Sequence, residues 1–132
     1  MPQTFSFTPG GLDPELEITF KPLCLELSPQ QAAELAERVR EHLDTLRQLA
    51  KVNPALEAST AESIAARLVD LLEGLSGLPK EQRPLVIGAA RYFTRSRDIQ
   101  PDFNSPVGFA DDVTVLNFVL RQIGRGDLRL EL

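Results

Sequence analysis

The sequence predicts a mainly α-helical single domain, with four helices and a short β-ribbon built from the N- and C-terminal segments. Three observations predict it. Apolar residues recur at steps of three and four through the middle of the chain, helix-start signatures precede two of those stretches, and apolar and polar residues alternate singly near both ends. The chain divides accordingly into an extended arm with short strands over residues 1–27, a helical core over 28–123 and a C-terminal strand over 124–132. A length of 132 residues suits one domain with a single core and leaves little for a second module.

Half of the ten prolines fall before residue 30, and each removes a backbone donor and fixes φ, so a long N-terminal helix is excluded. Within this arm Leu16, Ile18 and Phe20 alternate with polar residues, and Leu23, Leu25 and Leu27 alternate with Cys24 and Glu26, a strand period. Pro22 confines such a segment to a sheet edge or to a break between two strands. Leu128, Leu130 and Leu132 repeat the alternation at the other end. The expectation is that the two ends pair with each other, or with a second copy of the chain in a homo-oligomer.

The helices follow in order. Ser28, Pro29 and Gln31 form a start signature, with Ser28 as N-cap, proline at the first helical position and Gln31 closing a capping box. The helix should run to about Lys51, with Leu35, Ala36, Val39, Leu43, Leu46 and Leu49 as its apolar stripe and Asn53-Pro54 as its stop. A second box, Ser59 with Glu62, opens a helix carrying Ile64, Leu68, Leu71, Leu72 and Leu75, antiparallel to the first and closed near Gly74 and Gly77. A third spans roughly 81–94. The fourth spans about 110–123 and ends at Gly124; apolar residues cover most of its circumference, which marks a central helix with a polar stripe at Asp111, Thr114, Asn117 and Arg121.

Composition narrows the function classes. The apolar share of 42% and charged share of 25% are those of a globular protein. No apolar run approaches the roughly 20 residues that cross a bilayer, and the first residues lack the pattern of a secretory signal, so a cytoplasmic location is expected. With 19 acids against 14 bases the net charge of −5 opposes broad contact with nucleic acid or anionic membranes. Cys24 is the only cysteine, which rules out an internal disulfide and reads as a small buried apolar residue. His42, the only histidine, lies among charged neighbours and reads as a solvated surface residue rather than a general base.

Between the last two helices the chain concentrates acids and prolines. Pro101 disfavours helix before it, and Asp102 with Asn104 suits a turn in which the side chains bond their own backbone. Asp111 and Asp112 fall in the first turn of the last helix, where the dipole favours carboxylates by about 0.3–1 kcal/mol each. The order of residues in YFTRSRDIQPDFNSPVGFADDVTVL, Tyr92 to Leu116, resembles the YkvA-like family of bacterial domains of unknown function. The elements that carry the resemblance are Asp98, Pro101-Asp102-Phe103, Pro106, Gly108-Phe109 and Asp111-Asp112, within a match from Pro84 to about Ile123. Gln100 stands where the family usually has an aliphatic residue and Arg97 where it has proline, which makes the corner more polar. The resemblance implies a helical fold and brings no established activity or cofactor; some members of that family are membrane-associated.

Three functional readings follow. The preferred one is a cytoplasmic protein-interaction or regulatory module, partnered by a protein or by itself through the terminal strands, with Asn117 and Arg121 among its contact residues. The alternative is a small hydrolase in which Asp98, Asp102, Asp111 and Asp112 converge on Mg²⁺ or Mn²⁺, ions that take hard oxygen ligands. The second alternative is a weak RNA or phosphate binder through Arg91, Arg95 and Arg97, of which residues 91 and 95 share a helix face. A structural reading of the same arginines pairs them with the aspartates downstream and holds the corner closed.

Overall fold

Ser28 starts the longest helix as its sequence demands. Its Oγ accepts from the Gln31 amide at 3.1 Å and Gln31 Oε1 accepts from the Ser28 amide at 3.0 Å, so two of the orphan donors are satisfied reciprocally. The computed structural model describes residues 14–52, 58–94 and 110–130, which form α1 (Pro14–Phe20), α2 (Pro29–Val52), α3 (Ala58–Glu73), α4 (Arg83–Phe93) and α5 (Ala110–Gln122). Short 3-10 turns cover Lys21–Leu23, Leu75–Gly77 and Gly126–Leu128.

The α2 stripe is buried at Leu35, Ala36, Val39 and Leu46, while Glu37, Arg38, Arg40 and Glu41 face water. Arg47 reaches Glu62 at 3.2 Å and Arg40 reaches Glu73 at 2.6 Å, so residues ascending α3 meet residues descending α2 and the pair is antiparallel. Both ion pairs are exposed, and such pairs typically contribute about 0–1 kcal/mol. The apolar faces carry the packing instead: Ile64, Leu68, Leu71 and Leu72 of α3 are all buried. Ser59 lies inside α3, and Glu62 is engaged by Arg47, not by a box at Ser59.

Every residue from Pro84 to Ala90 is buried, and α4 touches each of the other four helices. It thus shares the central place that the sequence reserves for α5, whose Val113, Leu116, Phe118, Val119 and Leu120 are also buried. Gly88 explains how the chain crosses α4 so closely. A Cβ on it would lie 2.5 Å from Cys24 Sγ and 2.8 Å from a Phe20 ring carbon, closer than packed atoms come. Phe20 is fully buried and meets Phe118 edge to face, centroids 6.2 Å apart. A Schellman motif ends α5: Gly124 has φ +78°, its amide bonds Arg121 and the Arg125 amide bonds Leu120.

The four expected helices are present, but the terminal β-ribbon is not: among the described residues there is no strand. Leu16 to Phe20 form part of α1, with Pro14 at its start. Leu16 and Phe20 are one helical turn apart and face inward, whereas Ile18 is 74% exposed, an arrangement a strand would not produce. The C-terminal segment is a 3-10 turn followed by Arg129 and Leu130, which belong to no regular element, and Leu132 lies outside the described residues. The ribbon between the two ends of one chain is therefore not formed among the described residues.

His42 also departs from expectation. It is 8% exposed, with its ring edge to face against Phe93 at a centroid distance of 5.0 Å. The reason is its phase on α2: it sits three residues after Val39 and four before Leu46, on the core stripe, while Glu41 and Asp44 project elsewhere. Burial lowers its pKa below the usual imidazole value.

Candidate functional site

Two of the polar residues singled out in the sequence, Arg91 and Asn117, are employed in holding the fold. Arg91 is half-buried, and its Nη1 donates to the Leu23 carbonyl at 3.0 Å, pinning the turn after α1 to α4. A guanidinium so used is a structural tether, and Arg95 and Arg97 lie outside the described residues. Asn117 makes a two-point contact with the C-terminal segment: Nδ2 donates to the Leu130 carbonyl and Oδ1 accepts from the Leu130 amide, both at 2.8 Å. Arg67 Nε of α3 adds a bond to the Leu128 carbonyl at 2.9 Å. Arg121 is exposed on the last turn of α5.

Of the four aspartates, Asp111 is exposed and Asp112 half-buried in the first turn of α5, which is where the helix dipole favours them. Asp98 and Asp102 lie outside the described residues. Among the described residues no three histidine, cysteine or acidic side chains cluster as a metal ion would need. Cys24 is buried, and burial pushes its thiol up to about 12 against the smaller opposing pull of Arg91 and Lys21. A thiol held protonated in this way is a poor nucleophile at neutral pH.

A concave feature lies elsewhere, where the first turns of α2 meet the end of α3. It is a partly open groove of about 330 Å³. Its floor is Ala32 and Ala36 of α2 with Leu72 and Leu75, all buried. Leu27 closes one side, and Ala33 is exposed at the mouth. Small alanine side chains on α2 leave the space that larger residues would fill against Leu72 and Leu75.

The rim is polar. Arg83, at the start of α4, donates from Nε to the Leu78 carbonyl at 3.0 Å and from Nη2 to the Ser76 carbonyl at 3.2 Å. These bonds fix the turn between α3 and α4 and hold the guanidinium at the mouth. Glu73, the carboxylate on the same rim, is taken by Arg40, which also bonds Glu37 at 3.0 Å. The arrangement can enclose a small apolar group beside a fixed cation.

Sequence reasoning did not find this groove. Its visible signal was the run of small residues at Ala32, Ala33 and Ala36 on an otherwise leucine-rich stripe, with Arg83 set just before Pro84. No protein-family model, curated protein or solved structure matches the chain. Among the described residues no helix is long and apolar enough to cross a membrane.

Proposed function

We propose that this chain is a binding module of the interaction or regulatory kind, working through the groove between α2 and α3. The observation that carries the reading is the groove itself: about 330 Å³, buried alanine and leucine on its floor and polar groups at its rim. That is the make-up of a recognition site, and the volume falls within the about 300–1,000 Å³ typical of ligand pockets. The employment of Arg91, Arg67 and Asn117 in holding backbone carbonyls supports it, because those groups stabilise a scaffold. The resemblance of residues 84–123 to the YkvA-like domains brings a helical architecture and no activity to set against this reading. A cytoplasmic setting is part of the proposal.

The test is affinity recovery from a cell extract with wild type and Ala33→Trp as paired baits. Ala33 is exposed at the mouth, so the indole blocks the groove without entering the core. Proteins and small molecules are identified by mass spectrometry. The expected result is at least one species recovered by wild type and lost with Ala33→Trp. Identical recoveries by the two baits would overturn the reading.

A further inference from the structure

Resting on the groove as the working surface, we propose that its ligand is a single-chain aliphatic carboxylate, with the chain on the alanine-leucine floor and the carboxylate at Arg83. Three observations carry it. The floor offers Ala32, Ala36, Leu72 and Leu75 and no polar side chain, so the enclosed part of the ligand is hydrocarbon. The groove's volume of about 330 Å³ is roughly twice that of the ~150 Å³ apolar cavity known to hold benzene, which gives room for about a dozen non-hydrogen atoms. A chain of about ten carbons with its headgroup fills it.

The sign of the headgroup follows from Arg83. Among the described residues both of its hydrogen bonds go to uncharged backbone carbonyls, and no carboxylate pairs with it. It is half-buried, so part of its hydration is already lost. Only Nε and one Nη2 hydrogen are spent, which leaves three of five donors in the planar fork that matches a carboxylate. The rim carboxylate that a cationic ligand would seek, Glu73, is held by Arg40 at 2.6 Å. An amine-headed chain would meet the Arg83 charge and would have to share Glu73 with Arg40.

Decanoate is the probe, with decanol and decyltrimethylammonium as neutral and cationic counterparts of the same chain. Binding to the full chain is followed by amide NMR below micelle-forming concentrations. The expected result is saturable decanoate binding with shifts at Ala33 and Ala36, about tenfold weaker in Arg83→Gln and lost in Ala33→Trp. Because Arg83 also holds the Ser76–Leu78 turn, decanol separates charge from structure: its weaker binding should be equal in wild type and Arg83→Gln. Equal decanoate affinity in wild type and Arg83→Gln, or equal binding of the cationic chain, overturns the assignment. So does the absence of saturable decanoate binding. If decanoate fails while Ala33→Trp still loses a protein in the extract experiment, the groove reading stands and a protein segment takes the place of the acyl ligand.

Discussion

The two ends of the described chain carry the same alternation of apolar and polar residues and meet different fates. Leu16, Ile18 and Phe20 wind into α1, whereas Leu128 and Leu130 belong to a short turn and an irregular tail. Over five residues a period of two and a helical turn are compatible, because positions i and i+4 are apolar in both. What separates them is the partner surface. On the N-terminal side, Gly88 allows Phe20 and Cys24 to approach the α4 backbone, and a compact helical turn brings Leu16 and Phe20 to the same face. At the C-terminal side, Asn117 offers one donor and one acceptor to Leu130, as a neighbouring strand would. A side-chain amide here stands in for the missing ladder.

The largest expected effect is at the N-terminal end. Phe20→Ala removes a fully buried ring packed on Phe118 and Gly88, and should cost about 3–5 kcal/mol in urea unfolding. A loss below 1 kcal/mol would mean that α1 is not docked as described. Next comes alkaline pH. Cys24 rises from an ordinary 9.0 to about 12 on burial, so its contribution is fully present below about pH 9 and is lost as pH rises toward 12. The stability difference between wild type and Cys24→Ala should therefore shrink or reverse over that window. Parallel pH curves would show that the thiol is not buried; the tail, whose described residues contain no thiol, has no counterpart of this effect.

Asn117→Ala probes the tail. It strands the Leu130 amide and carbonyl, half-buried beneath the segment, and should cost about 1–3 kcal/mol with increased amide exchange at Leu130. Unchanged exchange would sink the claim that the amide holds the tail. Ile18→Ser has the smallest expected effect. At 74% exposure it should stay within about 0.5 kcal/mol of wild type, whereas a strand with Leu16, Ile18 and Phe20 inward would make it as damaging as a core change.

His42 shows a similar ambiguity resolved by phase. Its neighbours in sequence are charged, yet three- and four-residue spacing to Val39 and Leu46 was enough to place it inside, and Phe93 then completes its surroundings. Local polarity misled where helical phase did not. The groove was less legible still. Ala32 and Ala36 are ordinary small residues until Leu72 and Leu75, some forty positions later, pack opposite them, and Arg83 is an ordinary cation until two carbonyls orient it at the mouth.

What the sequence by itself determined are the features whose physics is local. The Ser28–Gln31 box, the α2 and α3 stripes and the left-handed Gly124 each depend on groups within a turn or two of one another, and all are present. The tertiary structure alone decided the conformation of the two ends, the burial of His42 against Phe93 and the existence of the groove. Each of these depends on a surface supplied from far along the chain, and short-range periodicity holds no information about which surface that will be.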